Sequence, residues 1–137
     1  MRYHAKDKPT GPGTFQWMYE EIEITTMPTN MLLVRVLIGK VKDMKRLEAA
    51  LRDVPVVQGD AAWNCVIWAR KALEKLKADG KALGTSQLDW QVVRDAAMKY
   101  VQEKKEQHRF DGQAPDGTFD TKKAPTFDLL LGREVMA

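Results

Sequence analysis

The sequence has one cysteine, Cys65, and two histidines, His4 and His108. A single cysteine cannot close an intrachain disulfide, and with only two histidines it falls short of the ligand sets that hold zinc. Neither a disulfide framework, a metal centre nor a cofactor is expected. The first residues, Met1-Arg2-Tyr3-His4-Ala5-Lys6, lack the apolar region of a signal peptide. The longest apolar run, Met31 to Ile38, is too short to span a bilayer and carries Arg35. Neither Asn30 nor Asn64 begins a glycosylation sequon. An intracellular, cytoplasmic protein with no membrane span is expected. Charge of one sign is also scarce: the formal net charge is +3, with cations and carboxylates interleaved along the helical segments. Lys104, Lys105 and Arg109 make a small basic cluster, but Glu103 and Glu106 interrupt it and no aromatic side chains alternate with it, so nucleic-acid binding is not expected.

What is present is ordinary for a globular chain: 137 residues, 44% hydrophobic and 30% charged. That length suits one domain. Residues 1–110 read as a single α+β domain, and 111–137, rich at first in Gly, Pro, Asp and Thr, as an extended C-terminal tail docked on the domain or on a partner. The prolines and glycines of residues 5–13 predict a loop. Residues 14–26 alternate as a strand, with Phe15, Trp17 and Tyr19 on one face. Ile22 and Ile24 fall on the opposite phase, and the slip near Glu20 predicts a bulge. After a turn at 27–30, Met31 to Ile38 predicts a buried strand, antiparallel to the one before it.

Three helices follow. Asp43 caps a short one from Met44 to Leu51. Asp60 is the expected N-cap of a central helix that Gly80 ends, with Ala62, Cys65, Val66, Ala69, Ala72, Leu73 and Leu76 as its apolar stripe. Trp63, Ile67 and Trp68 extend that surface. Ser86 and Asp89 open a third helix that runs to about Gln107, its inner face Val93, Ala96, Ala97 and Tyr100.

The chemistry turns on Cys65. Periodicity puts it on the core stripe, where a free cysteine is usually a small buried apolar side chain. Against this, the first turn of a helix favours a thiolate, and a thiolate with a neighbouring base is a nucleophile. Two bases are available. His108 lies at the end of the third helix, where an imidazolium complements the helix dipole, and His4 lies near the chain start.

The segments Arg2-Tyr3-His4-Ala5-Lys6, Met31-Leu32-Leu33-Val34-Arg35-Val36, Trp63-Asn64-Cys65-Val66-Ile67-Trp68 and Asp79-Gly80-Lys81-Ala82-Leu83-Gly84-Thr85-Ser86 resemble an uncharacterised family of filamentous fungi. An Asn-Cys at the head of a helix, preceded by strands carrying histidine, is also similar to the circularly permuted papain-like group, which includes lecithin:retinol acyltransferase-like and NlpC/P60-type proteins. That similarity implies a small antiparallel sheet packed against a central Cys-bearing helix and two further helices. It implies Cys65 as the nucleophile and His4 as the second polar position, with the strand that carries the base lying before Met1. Two functions are expected from it. One is a degenerate or N-terminally shortened scaffold that binds a protein partner, or a second copy of itself, through an exposed sheet edge. The other is a thiol hydrolase or acyl transferase in which Cys65 works with His4 and backbone N–H groups at the helix start hold the oxyanion.

Overall fold

A computed structural model describes residues 1–24 and 32–137. The predicted turn at 27–30 and the first residue of the predicted apolar strand lie outside those residues. The fold is α+β, with three helices and small sheets, and the chain divides into two compact units. Of the described residues, the first holds 1–24 and 41–84, and the second holds 32–40 and 85–137. Residues 1–110, expected as one domain, are thus shared between the two. Among the described residues no helix is long and apolar enough to cross a membrane.

The first unit begins with a hairpin of β1 (Arg2–Gly11) and β2 (Thr14–Ile22), paired antiparallel from Arg2↔Ile22 to Gly11↔Thr14. Residues 5–11 are therefore strand, where the prolines and glycines predicted a loop. Those residues occupy the hairpin's turn and its rim instead. Pro12 and Gly13 make the turn, and Gly13 takes the left-handed φ of 70° that a turn with proline before glycine requires. β2 pairs with β1, not with the apolar segment after residue 31. The register shifts only between Pro9 and Gly11, so the bulge expected near Glu20 is absent from this ladder. The break in phase has a different cause: Glu21 continues the Trp17–Tyr19 face as a charged residue, held there by Arg52 and by the Tyr19 hydroxyl.

Two helices complete this unit. In α1 (Met44–Arg52) Asp43 caps the start, accepting from the Arg46 N–H at 3.0 Å, while Ala50 and Leu51 are buried. In α2 (Cys65–Asp79) the buried stripe is Trp68, Ala72, Leu73 and Leu76. Burial of each large side chain there contributes about 2 kcal/mol. Gly80 ends α2 at φ 67°, donating its N–H to the Leu76 carbonyl. The Asp79 carboxylate then accepts from the Lys81 and Ala82 N–H groups and pairs with Arg46. The carbonyl of Ala82, which is fully buried, takes the N–H groups of Lys42 and Asp43. The end of α2 and the start of α1 are fixed together by these bonds.

In the second unit, β3 (Arg35–Leu37) lies parallel to β6 (Thr126–Asp128), which pairs antiparallel with β7 (Arg133–Met136). Residues 126–136, expected within an extended tail, supply two strands of this three-stranded sheet. β4 (Gly39–Val41) and β5 (Leu83–Ser86), which belong to neither unit alone because the chain passes from one to the other within each, form a separate two-stranded sheet. α3 (Trp90–Glu106) starts where Asp89 accepts from the Val92 N–H, and Val93, Ala96, Ala97 and Tyr100 turn inward as predicted. Tyr100 packs on Phe127 with ring centroids 5.4 Å apart. Lys104, expected in a surface cluster, is only 2% exposed. Its Nζ meets Glu134 Oε2 at 2.5 Å and Gln107 Oε1 at 3.0 Å, beside the Tyr100 and Phe119 rings. Tyr100 donates to the same Glu134 oxygen at 2.5 Å. Burial pushes the Glu134 carboxyl up, but the hydrogen bonds from Lys104 and Tyr100 outweigh it and hold the group below its ordinary value.

Candidate functional site

Residues 60–63 form a turn before α2 rather than its first turn: Trp63 N–H donates to the Asp60 carbonyl at 3.1 Å and Ala62 N–H to the Asp60 side chain at 2.9 Å. The N-cap is Asn64, not Asp60. Its Oδ1 accepts from the N–H groups of both Val66 and Ile67, at 3.0 and 3.1 Å. The displacement follows from Trp63, which is buried with its ring edge-on to Trp17 at 5.2 Å and so anchors the turn against the hairpin. Helix geometry can begin only after that anchor. Cys65 is then the first helical residue, and it is exposed, not part of the core stripe. Shifting the helix start from the position periodicity implies moves the whole face: the buried side belongs to Trp68 and the residues that follow it.

The first turn has little left to offer a developing anion. Of the N–H groups around Cys65, those of Val66 and Ile67 are taken by the Asn64 cap, and that of Trp68 bonds to the Asn64 carbonyl. Among the described residues, no hydrogen bond joins the thiol to any other group.

His4 lies in β1 opposite Glu20, and its Nε2 is 2.8 Å from Glu20 Oε2. The other oxygen of Glu20 accepts from Lys6 at 2.5 Å. Those bonds, from Lys6 first and then His4, hold the Glu20 carboxyl below its ordinary value. Because side chains alternate across a strand, the hairpin has two chemically distinct faces. Tyr3, Trp17, Tyr19 and Glu21 form one: Trp17 meets Trp63, Tyr19 packs on Trp68 at 5.8 Å, Tyr3 donates to Glu48 at 2.9 Å, and Glu21 takes both nitrogens of Arg52. That is the face toward α1 and α2. His4 and Glu20 occupy the other, so the sheet separates the imidazole from the helix that begins with Cys65. His108 has its own partner, Asp111, at 2.8 Å, and lies in the second unit with φ 59° just past α3.

Sequence reasoning passes over the residue that differentiates the hairpin's two edges. Gln58, on the chain between α1 and α2, donates to the Trp17 carbonyl at 2.5 Å and accepts from the Trp17 N–H at 2.9 Å. Its amide thus imitates the peptide of a neighbouring strand and occupies the β2 edge at Trp17. The same bonds define the ladder: Trp17 points its backbone polar groups away from β1, so Trp17 and its partner Asp7 are a non-hydrogen-bonded pair. By alternation, Tyr3, Ala5 and Asp7 direct their N–H and C=O groups to the outer edge of β1, where Asp7 is exposed, Tyr3 half-buried and Ala5 buried. Among the described residues no backbone group bonds there. Pro9 belongs to the same set, at a position where a ladder would need no N–H from β1 toward β2. No sequence signal would single out Gln58, because its role depends on a strand it does not belong to.

An α+β chain of two compact units, with a capped Cys-bearing helix against one face of a hairpin, is the class that fold and site define. The chain belongs to a family of unknown function, DUF6914, whose model matches residues 1–136. No curated protein and no solved structure matches it.

Proposed function

We propose that this protein is a binding domain, not an enzyme, and that it engages an extended segment of a protein partner at the outer edge of β1. The observation that carries this reading is the contrast between the edges of one hairpin: the β2 edge is occupied at Trp17 by Gln58, while on β1 the half-buried Tyr3 and the exposed Asp7 direct outward backbone groups that bond to no other backbone group among the described residues, with the buried Ala5 between them. Open edges of this kind pair with other strands. The reading includes descent from a permuted papain-like scaffold, supported by the order of a His-bearing strand and an Asn-Cys helix head, and an intracellular setting, supported by the lone free thiol. Selection of extended peptides from a displayed library on the purified chain tests it. The selected peptides should slow amide hydrogen exchange at Tyr3 and Asp7. Peptides that protect other segments and leave these amides unchanged would refute it.

One observation favours a second reading, a thiol hydrolase or acyl transferase using Cys65 and His4: the cysteine is exposed at the head of α2. The Glu20 partner of His4 and the occupied N–H groups at the helix start weigh against it. p-Nitrophenyl acetate should be hydrolysed no faster by the native chain than by Cys65→Ser. A burst of nitrophenol that disappears in both Cys65→Ser and His4→Ala would establish the thiol chemistry.

A further inference from the structure

The loop that follows α3 encloses a cavity of about 180 Å³ within the second unit. The end of α3 forms its base. Arg109 donates its backbone N–H to the Lys104 carbonyl and His108 to that of Lys105, which closes the helix with His108 in the left-handed position, φ 59°. Beyond this turn the chain winds round the Arg109 side chain. Nη2 donates to the carbonyls of Asp120 and Lys123, at 3.0 and 2.9 Å, and the guanidinium lies over the Phe119 ring at 5.1 Å. These contacts hold the half-buried group in place without neutralising it. Among the described residues no carboxylate pairs with Arg109, Nε is buried without a partner, and Nη1 has no protein acceptor. Asp116 lines the same cavity, and its exposed carboxylate has neither an ion-pair nor a hydrogen-bond partner among those residues. One unanswered cation and one unanswered anion therefore line one small space without meeting each other.

We infer that this cavity binds a small free amino acid, its carboxylate on Arg109 and its ammonium group on Asp116. Cavities that hold drug-sized ligands begin at about 300 Å³, so this one takes a molecule of only a few heavy atoms. A simple anion would answer Arg109, but it would bring its charge close to Asp116, and like charges repel. A simple amine would answer Asp116 and leave the half-buried guanidinium uncompensated, which is the costlier of the two groups to leave so. A zwitterion answers both and adds no net charge. The planar guanidinium suits a carboxylate in particular, because its N–H groups match the two oxygens. Ala114, Pro115 and Phe119 supply the apolar wall for a short aliphatic side chain. The site belongs to the second unit and is independent of the strand-binding reading, which concerns the hairpin of the first.

L-Alanine, propanoate and ethylamine are titrated in turn into the full chain, and binding is followed by the amide resonances of Gly112 and Gly117, which both line the cavity. Alanine should shift both amides in a saturable way. Propanoate lacks only the ammonium group and ethylamine only the carboxylate, so each should bind about tenfold more weakly, the loss of one charged hydrogen-bonded contact. Changing the ligand tests the Arg109 contact without replacing a side chain on which two loop carbonyls depend. Asp116 holds nothing in the chain, so Asp116→Asn should weaken alanine about tenfold with the thermal midpoint unchanged. Propanoate that binds as tightly as alanine would make this an anion site and overturn the amino-acid assignment. The assignment also falls if Asp116→Asn binds alanine as the native chain does, or if millimolar alanine leaves both glycine amides unmoved.

Discussion

Asn64 is the residue on which the Cys65 question turns. Next to a lone cysteine in the sequence, it resembles part of a chemical motif, and in the fold it is an N-cap with two backbone donors. Asn64→Ala should destabilise the first unit by about 1 kcal/mol, whereas Asn64→Asp, which keeps the acceptor, should stay within about 0.5 kcal/mol of the native chain; urea denaturation followed by tryptophan fluorescence checks both. Local chemistry of this kind is legible where the capping residue directly precedes its helix, as at Asp43, or directly follows it, as at Gly80, but α3 begins at Trp90 with Asp89 as its N-cap, and Ser86, expected to open that helix, ends β5. It misleads at Asp60 because aspartate serves turns and caps alike. The choice between them is made by Trp63, whose burial against Trp17 is a long-range contact. The same displacement explains why Cys65 reads as core: a stripe drawn from the wrong starting residue places a first-turn side chain on the wrong side of the helix.

Among elements, the helices are readable because their signals are local, whereas of the strands β2 shows its alternation and the pairing does not, because a ladder is shared between distant segments. β1 carries proline and glycine at the positions where a hairpin edge and turn tolerate them, which is indistinguishable in sequence from a loop until its partner is known. β6 and β7 are three and four residues long and lie in a segment whose composition predicts a tail; they exist because β3, far earlier in the chain, provides a ladder. α3 docks on β7 through polar groups, and this gives a pH dependence. Hydrogen bonds from Lys104 and Tyr100 lower the Glu134 carboxyl from its ordinary value of 4.5. A group lowered in the folded state contributes stability that is fully present above that ordinary value and is lost as pH falls through the lowered one. Acid titration of the thermal midpoint should therefore fall less steeply below pH 4.5 in Glu134→Gln than in the native chain, even though the variant is less stable at neutral pH.

For the molecule as a whole, neither unit is a continuous piece of sequence. The composition and length that favour one domain over residues 1–110 contain no trace of this interleaving, since a chain that returns to an earlier strand does so through contacts and not through composition. A fragment of residues 85–137 keeps α3, β6 and β7 but lacks β3, the parallel neighbour of β6. It should show no cooperative thermal transition by circular dichroism, while the full chain does. A fragment that melts cooperatively would mean that the β6–β7 pair and α3 suffice.

The pairing of β3 with β6 also sets an order of events during synthesis. The hairpin of β1 and β2 joins neighbouring residues and can close in microseconds once it leaves the ribosome. β3 emerges soon after, but its parallel partner begins only at Thr126, after all three helices have been made. Until translation reaches that point, Arg35–Leu37 is an unclaimed strand on a nascent chain, open to chaperones or to mispairing. A ribosome that stalls before residue 126 would leave the second unit unformed, however long the first has been folded.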